Sequence, residues 1–324
     1  MALEFTELEV ISDDYFVANN NEAQDIYFTT SAALDLFQNK KKGLWERPDG
    51  GKKIDVPLSY DGAEGGFYSR TSTLSSDDRE SINMAHFHWK HAYGNATIYR
   101  TDELENAGEF AEVKLVTQRL NTAQKTVTKH LATQLYSSAT DTANELTGLL
   151  SLTSSSTSVA FGGIAEADLV AADLTTPWAG KLTTTTEALS LKVIRTLASS
   201  CKIGDGPGGK PDYGFLTEAL FNILSGILQP QQRFTENKEV RAGFLNLVFE
   251  GKTFLADDYC PSGTLILINS AHFGFAVHTR GFFVRTSWMD MLGSNIPAKT
   301  LKIFWDGNMI VNNRKAHARH TNLS

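Results

Sequence analysis

The sequence predicts an α+β protein, and three patterns along its 324 residues indicate this class. Apolar and polar residues alternate between residues 53 and 60 and again between 85 and 93, which is typical of half-buried strands. Between residues 113 and 135 the apolar residues recur at steps of three and four, which indicates an amphipathic helix. The last third of the chain is rich in short β-type runs such as TLILIN and GFFVRTSW.

The first 95 residues are predicted to form an arm, a short helix and a two-stranded ribbon. Residues 1–30 show no clear periodicity and are interpreted as an extended arm, followed by a short helix from Ser31 to Lys42. Pro57 cannot donate to a strand ladder, which indicates an edge strand or a two-stranded arm. Apolar residues alternate along both strands of the ribbon: Ile54, Val56, Leu58, Tyr60, Ala85, Phe87, Trp89 and Tyr93.

This ribbon is expected to have nothing to pack on within one subunit. A two-stranded ribbon is marginal in water unless its apolar face finds a partner. We therefore expect neighbouring copies of the chain to cover that face, in a contact that repeats once per subunit.

A long amphipathic helix is predicted to begin at Glu109. It would contain nearly thirty residues and measure roughly 43 Å at 1.5 Å per residue. Such a helix needs an equally long surface to cover its single apolar stripe. The stripe consists of Val113, Val116, Leu120, Ala123, Val127, Leu131 and Leu135.

The remainder of the chain is predicted to hold short elements and a β-rich end. Residues 137–185 are rich in Ser, Thr, Ala and Gly and are interpreted as loops and short elements. A helix is expected from Leu189 to Ala198, then a short strand at DYGF and a helix at LTEALFNILSGIL. In LKIFWDGNMIVNN, Asp306 and Gly307 are predicted to form the turn of a β-hairpin.

The composition places the chain among folded, soluble proteins and limits its partners. Hydrophobic residues make up 41% and charged residues 21% of the sequence, as in a globular protein. The formal net charge is −7, which argues against a protein that wraps nucleic acid, because neutralising phosphates requires a basic surface. A protein that encloses nucleic acid without gripping it is compatible with this charge.

The sequence shows no signal for export or membrane insertion. MALEFTELEV has acidic residues where a signal peptide carries Lys or Arg, and no apolar run approaches the roughly 18 residues of a membrane helix. Cys201 and Cys260 are too few for a disulfide framework, so we expect both thiols to be reduced, buried and not bonded to each other. A protein made and folded in a cytoplasm is predicted.

The run GDGPGGKP, residues 204–211, resembles a phosphate-binding loop but lacks its final hydroxyl residue. In a phosphate-binding loop a strand precedes the glycines and a helix follows, so that the helix N-terminus faces the phosphates. Here the preceding segment has helical periodicity and the following DYGF has strand character. Because this order is reversed and Pro211 offers no hydroxyl to a metal ion, we predict a connecting loop and no nucleotide site.

The run HFHWKH raises the possibility of a metal site. His86 and His88 would share one strand face, close enough to bind zinc, whereas His91 falls on the opposite face. No nearby Cys or carboxylate supplies a convincing third ligand, so ordinary strand histidines are the preferred interpretation. Since no G-x-S-x-G, H-E-x-x-H or C-x-x-C motif occurs, the sequence predicts no enzyme, no cofactor and no metal site.

The order of the elements resembles that of the tailed-bacteriophage major capsid proteins of the Hong Kong phage type, whose fold is shared with encapsulins. The resemblance covers nearly the whole chain and rests on the order of six phrases, because no single phrase is a strong signature. The first looks like the start of the family's E-loop and the third like its spine helix. The phrases are GGKKIDVPLSYDG, HWKHAYGNATIYRTDELENAGEF, EVKLVTQRLNTAQKTVTKHLATQLYS, FGGIAEADLVAADLTTPWAGK, KPDYGFLTEALFNIL and VFEGKTFLADDYCPSGTLILINSAHFGF.

The resemblance implies a division of the chain and an assembly interface. The expected parts are an N-terminal arm with a short helix (1–50), the E-loop ribbon (51–95), a peripheral domain with the spine helix (96–138 and 236–301) and an axial domain (139–235 and 302–324). The expected interface consists of the ribbon residues Ile54, Val56, Leu58, Tyr60, Phe87, Trp89 and Tyr93.

The function implied by the resemblance is that of a major capsid protein. Copies of the chain would assemble as hexamers and pentamers into the icosahedral head shell of a tailed bacteriophage. The shell would enclose double-stranded DNA without sequence-specific contacts, and the basic cluster of Arg314, Lys315 and Arg319 is too small for sequence readout. The implied partners are a scaffolding protein, a portal and a decoration protein, with no membrane. The protein would be made in the cytoplasm of the bacterial host and reside in the virion.

Two departures from the family and one alternative remain. Residues 1–30 leave no room for the helical scaffold segment that some members carry before the arm, so either a separate scaffolding protein exists or that segment is removed. Lys52 and Lys53 lie at the base of the ribbon instead of its tip, so the family's chemical cross-link is not expected here. The alternative function is an encapsulin-like shell that encloses a cargo protein, and co-purifying DNA or cargo distinguishes the two.

Overall fold

The computed structural model describes residues 31–38, 44–74, 81–105, 109–169, 176–204, 208–229 and 246–324. It confirms a mixed α+β architecture with two six-stranded sheets and a separate two-stranded ribbon. The predicted arm, residues 1–30, lies outside the described residues. Within the part of the chain that is described, no helix combines the length and the apolar character needed to cross a bilayer.

Two of the helices begin after a serine whose side chain caps the first turn. The hydroxyl of Ser31 accepts a hydrogen bond from the backbone N–H of Leu34 at 3.3 Å, and Ser190 does the same for Val193 at 3.4 Å. These two residues precede the first and fifth helices. The helices are α1 (Ala32–Gln38), α2 (Arg100–Glu105), α3 (Glu109–Leu135), α4 (Leu149–Leu152), α5 (Leu191–Ser200) and α6 (Glu218–Leu228).

The first sheet is built around one strand of 14 residues, β13 (Ala298–Val311). Strand β4 (Lys90–Tyr99) pairs antiparallel with the first ten residues of β13. Three further strands pair along β13, and a fourth lies parallel to one of them. These strands are β12 (Met289–Asp290), β11 (Val284–Arg285) and β10 (Phe273–Val277), with β1 (Leu44–Glu46) beside β10.

The predicted hairpin turn at Asp306 and Gly307 is wrong, because both residues continue the extended β13. Gly307 pairs with Lys90 on one side and with Val277 on the other, so the backbone is held in the sheet from both edges. A Cβ at position 307 would lie 2.7 Å from the carbonyl oxygen of Ala276. The glycine therefore permits a close approach of two strands and does not form a turn.

The second sheet has the strand order β5-β14-β9-β6-β8-β7. Helices α5 and α6 bury Ile194, Leu197, Leu220 and Leu224 in one apolar cluster with residues of this sheet. The helix α5, the following loop and strand β6 occur in the order that the sequence predicted. The strands are β5 (Lys181–Thr183), β6 (Tyr213–Leu216), β7 (Asn246–Phe249), β8 (Lys252–Ala256), β9 (Leu265–Ile268) and β14 (Ala318–His320).

The predicted long helix is confirmed as α3, which spans 27 residues and therefore roughly 40 Å. It lies on β4 at close range, because a Cβ at Gly94 would be only 2.5 Å from the carbonyl oxygen of Ala123. The described part of its stripe is buried, and the side chain of Val113 lies outside the described residues. The buried residues are Val116, Leu120, Ala123, Val127, Leu131 and Leu135.

The two sheets share a central core, and Phe37 of α1 lies where they meet. Its ring centroid is 4.3 Å from that of Phe273 in the first sheet and 5.9 Å from that of Phe215 in the second. The division into peripheral and axial domains stays a prediction, but the sheets do not follow it in two places. β13 continues through the predicted boundary between residues 301 and 302. β7 to β9, which lie in the predicted peripheral domain, pair within the second sheet together with strands of the predicted axial domain.

Candidate assembly surface

The predicted apolar face of the ribbon is covered by the subunit itself. Strands β2 (Ile54–Ser59) and β3 (Ile82–Phe87) pair antiparallel, with Ile54 opposite Phe87 and Val56 opposite Ala85. These four side chains and Leu58 are all buried. The expectation that the ribbon has nothing to pack on within one subunit is therefore wrong.

A loop with two glycines holds this inner face. The backbone N–H of His86 donates to the carbonyl oxygen of Gly162 at 2.8 Å, outside any regular sheet. Gly162 has φ of +60°, and a Cβ there would lie 3.1 Å from the ring of Phe87. The ring of Phe87 in turn meets that of Phe161 edge to face at 5.8 Å. The loop is therefore shaped to let β3 lie directly on it.

The other three predicted interface residues lie where the paired strands lead into the tip (Tyr60), at the base of the ribbon (Trp89) and beyond it (Tyr93). Tyr60 is half-buried against the core. Trp89 donates its indole N–H to the carbonyl oxygen of Gly51 at 2.9 Å and packs edge to face against His278. Tyr93 belongs to the first sheet and is 64% exposed. Of the seven predicted residues, Tyr93 is thus the most accessible to a neighbour.

A break in the strand explains the position of Tyr93. β3 ends at Phe87 and β4 begins at Lys90, so the return is not one continuous strand. Odd-numbered positions are buried before the break, and even-numbered positions such as Lys90 and Gly94 are buried after it. The two unpaired residues, His88 and Trp89, shift the alternation by one residue and turn Tyr93 to the outside.

The break is fixed by a polar cluster around the buried carboxylate of Asp141. His88 donates its backbone N–H to this carboxylate at 2.9 Å, and its Nδ1 also contacts it. The ammonium group of Lys90 donates to the carbonyl oxygens of Asp141 and Ala143, and burial lowers the pKa of Lys90 while the charge of Asp141 opposes this shift. Asn308 joins β13 to the cluster through Asp141 Oδ1 at 3.1 Å.

The three histidines of HFHWKH contact three different carboxylates. The Nδ1 atom of His86 is 2.6 Å from Asp55 on β2, and that of His91 is 2.6 Å from Asp306 on β13. His88 contacts Asp141, so no two of the histidines share a carboxylate partner. Among the described residues, no group of three metal-binding side chains is placed to hold an ion.

The opposite face of the ribbon and its tip expose five large apolar side chains; we call this the outer ribbon surface. Met84 faces Pro57 and Ile82 faces Ser59 across the two strands. Ile82 is 68% and Met84 44% exposed. The tip adds three exposed side chains, which are Phe67, Tyr68 and Leu74. Exposed apolar groups of this kind mark surfaces that bind other proteins.

Sequence reasoning missed this surface because the pattern is weak there. The tip aromatics lie within a stretch rich in Gly and Ser, and Ile82 and Met84 alternate with Asn83 and Ala85. A signal was nevertheless present: two large apolar residues occupy the positions that are out of phase with Ala85 and Phe87.

The run GDGPGGKP lies between a helix and a strand, and the two cysteines are buried. α5 ends at Ser200 and β6 begins at Tyr213, which confirms the predicted order of helix, loop and strand around GDGPGGKP; residues 205–207 lie outside the description. Cys201 and Cys260 are free, buried thiols, and burial raises the pKa of Cys201 to about 12. A thiol with so high a pKa is unreactive at neutral pH.

Comparison with known proteins adds information on the fold. No protein-family model matches the sequence, and no curated protein sequence matches it. Among solved structures, the capsid of cyanophage A-1(L) is similar over 87% of this chain and 91% of its own, with a TM-score of 0.64 and 12% identity. The capsid of a native GTA particle is similar over 88% and 89%, with a TM-score of 0.58 and 13% identity.

An encapsulin also has this fold. The SrpI encapsulin of Synechococcus elongatus is similar over 91% of this chain and 89% of its own, with a TM-score of 0.57 and 9% identity. The chain therefore has the fold of phage capsid proteins and encapsulins, as its sequence predicted. At such low identity the likeness shows the fold and leaves function to be argued from the surfaces of the molecule.

Proposed function

We propose that the chain is a major capsid protein that assembles into the icosahedral head shell of a tailed bacteriophage. The observation that carries this proposal is the outer ribbon surface, which exposes Ile82, Met84 and Phe67 on an extension whose inner face is already covered. An isolated subunit gains nothing from presenting these side chains to water. Many copies of the chain could bury them in one repeated contact. The similar capsid structures match nearly the whole chain, which supports a shell of this kind.

The two sheets suggest how the subunit is arranged in such a shell. In this proposal the peripheral domain consists of α3 and the first sheet, and the axial domain of the second sheet with α5 and α6. Strands β7 to β9, which the sequence assigned to the peripheral domain, then belong to the axial domain. Hexamers and pentamers would form around the axial domains, and the ribbon would reach a neighbouring subunit. A scaffolding protein, a portal and a decoration protein are the further partners. The protein is made in the cytoplasm of a bacterial host, resides in the virion and is not an enzyme.

In this proposal the shell encloses the packaged DNA without recognising its sequence. Arg314, which belongs to the predicted basic cluster, is buried and donates to backbone carbonyl oxygens. Arg314 is therefore not available to contact DNA. Lys315 and Arg319 alone are too few to read a DNA sequence. Sequence-specific retardation of a short duplex by the free subunit at physiological salt would contradict this part.

The test of the proposal is assembly by the full-length chain. Sedimentation and electron microscopy of the purified protein should show closed, uniform shells, and a purely monomeric protein under all assembly conditions would overturn the proposal. The content of the particles separates the capsid from the encapsulin. Particles from the native source should protect DNA of one length from nuclease, whereas a stoichiometric cargo enzyme without DNA would favour the encapsulin-like shell.

A further inference from the structure

A cavity of about 340 Å³ lies between the ribbon and the second sheet, and its lining is basic. Lys181 lies at the start of β5, Lys202 follows α5, and Lys315 lies in a single helical turn before β14. Three separate parts of the chain therefore each contribute a lysine to the lining of one cavity. Among the described residues that line the cavity there is no Asp or Glu. Leu58 and Tyr60 of the ribbon form an apolar part of the same lining, the apolar wall.

The charges of Lys181 and Lys315 repel one another in this cavity. Burial lowers the pKa of Lys315, and the nearby charge of Lys181 lowers it further. Glu166 opposes this effect, and its carboxylate, which also accepts the backbone N–H of Trp178 at 3.0 and 3.2 Å, interacts with both Lys181 and Lys315. A bound carboxylate would relieve the repulsion between the lysines.

The chain itself contains a segment of complementary charge. Residues 1–30 hold seven Asp and Glu residues and no Lys or Arg. Subtracting these seven from the 37 acidic residues of the chain leaves 30, which equals its 30 Lys and Arg. The whole net charge of −7 therefore belongs to the first thirty residues. Within them, Asp13 and Asp14 are followed by Tyr15 and Phe16, which combines two carboxylates with two aromatic rings.

We propose that this acidic segment of the chain binds in the lysine-lined cavity, with Asp13 and Asp14 facing the three ammonium groups and Tyr15 and Phe16 against the apolar wall. The anchor for the segment is Ser31, whose hydroxyl donates to Asp257 at 2.7 Å. The 17 residues from Asp14 to Ser31 can span up to roughly 56 Å when extended, and the cavity that they enter belongs either to the same subunit or to a second copy, which the experiment below distinguishes. The proposal requires only the folded subunit and does not depend on shell formation.

Zero-length carbodiimide cross-linking of the full-length chain tests the proposal. Mass spectrometry should find Lys181, Lys202 and Lys315 joined to Asp13 or Asp14, at a yield about fivefold above that of the exposed Lys125 and Lys129 of α3. Cross-links from the three cavity lysines exclusively to carboxylates outside residues 1–30, or no excess over the α3 lysines, would overturn it. Mixing isotope-labelled and unlabelled chains shows whether the segment comes from the same subunit or from a second copy.

A matched pair of variants separates this contact from general charge effects. Asp13→Asn with Asp14→Asn should raise the rate of lysine acetylation in the cavity about fivefold, while Glu22→Gln with Asp25→Asn, which removes the same charge, should leave it unchanged. Equal effects of the two pairs would contradict the proposal. Inorganic phosphate is the probe for a free oxyanion: if phosphate protects the lysines while neither variant pair changes their acetylation, the cavity is an oxyanion site and the proposal is wrong.

Discussion

At the level of single residues, Arg314 and His317 of the basic carboxyl-terminal stretch are buried and have structural roles in the subunit. Arg314 donates to four backbone carbonyl oxygens, and its guanidinium lies 4.7 Å from the ring centroid of Phe161. Burial lowers its pKa to about 10, which still leaves it charged at neutral pH. It therefore ties the loop after α4 to the carboxyl-terminal part of the chain. The four acceptors are Leu152 at 2.7 Å, Ser151 at 2.8 Å, Ser154 at 3.0 Å and Trp178 at 3.3 Å.

Arg314→Met should destabilise the subunit by about 3 kcal/mol or more, because it leaves several buried carbonyl oxygens without a donor. The measurement is urea unfolding followed by circular dichroism. The control is Arg195→Met, since Arg195 is exposed and pairs with Glu250 at the surface, so a change of less than about 1 kcal/mol is expected there. Equal losses in the two variants would show that the Arg314 cluster is not a structural centre.

His317 is expected to make the stability of the subunit depend on pH. Burial, followed by the charge of His272, lowers the pKa of His317 from 6.5 to about 3, and its Nδ1 accepts the backbone N–H of Asn269. At pH values between these two pKa values, the unfolded chain binds more protons than the folded one. The stability contributed by neutral His317 is therefore complete above pH 6.5 and is lost as the pH falls.

His317→Asn keeps an acceptor for Asn269 but cannot titrate, so it should remove part of this dependence. We expect the wild-type protein to lose about 2 kcal/mol more than the variant between pH 7 and pH 4.5. Urea unfolding at both pH values measures the difference. His130→Asn, on the exposed side of α3, is the matched control and should retain the wild-type dependence; parallel curves for all three proteins would refute the assignment.

At the level of elements, the sequence predicted the strands of the ribbon but not what covers them. Alternation in IDVPLS indicated β2 and its apolar face correctly. The covering loop at Gly162 lies in a stretch rich in small residues, where periodicity carries no information about long-range contacts. In the same way, Asp306-Gly307 is a favourable turn sequence, but pairing on both sides of β13 outweighs that local preference.

Phe87→Ala should destabilise the folded subunit itself by about 3–5 kcal/mol, because the ring is fully buried against Phe161 and Gly162. Tyr93→Ala serves as the control, since this side chain is largely exposed in the subunit and should change the free energy of unfolding by less than about 1 kcal/mol. Chemical unfolding of the unassembled protein gives both values. If Phe87→Ala unfolds like the wild type, the inner face of the ribbon is not part of the subunit core.

Substitutions on the outer ribbon surface should weaken assembly and leave the stability of the subunit unchanged. Ile82→Ser with Met84→Ser should change the free energy of unfolding by less than about 1 kcal/mol, because both side chains are exposed in the subunit. It should raise the concentration needed for assembly at least about tenfold, since each lost apolar contact contributes roughly 1.5–3 kcal/mol. Ser59→Ala, on the same face, is the control. Unchanged assembly of the double variant would exclude this face from the subunit contact.

At the level of the whole molecule, the order of the elements was predictable and their distribution between the sheets was not. The chain leaves the second sheet after β9, contributes β10 to β13 to the first sheet, and returns to the second sheet with β14. Local patterns indicated β9, β11 and β13 but not the short β12 and β14, and the pairing of all these strands depends on contacts between residues far apart in sequence. Phe37 belongs to the same core as both sheets, so the subunit should unfold as one unit with the ribbon tip outside it.

Deletion of residues 62–80 tests this separation between the core and the ribbon tip. The backbone N–H of Tyr60 donates to the carbonyl oxygen of Ser81 at 3.0 Å, so the ends of the deletion are adjacent and an Asn-Gly turn can join them. The paired strands β2 and β3 and the loop that covers them would remain. We therefore expect a soluble subunit with unchanged circular dichroism and a free energy of unfolding within about 1 kcal/mol of the wild type.

The same deletion should abolish shell formation. It removes Phe67, Tyr68 and Leu74, three exposed side chains whose burial against a neighbour would contribute several kcal/mol per contact before ordering costs. Because a closed shell repeats the contact once per subunit, the loss acts at every position of the lattice. Sedimentation of the deletion beside the wild type measures the outcome. Normal shells from the shortened chain would show that the ribbon tip is dispensable and that assembly depends on another surface.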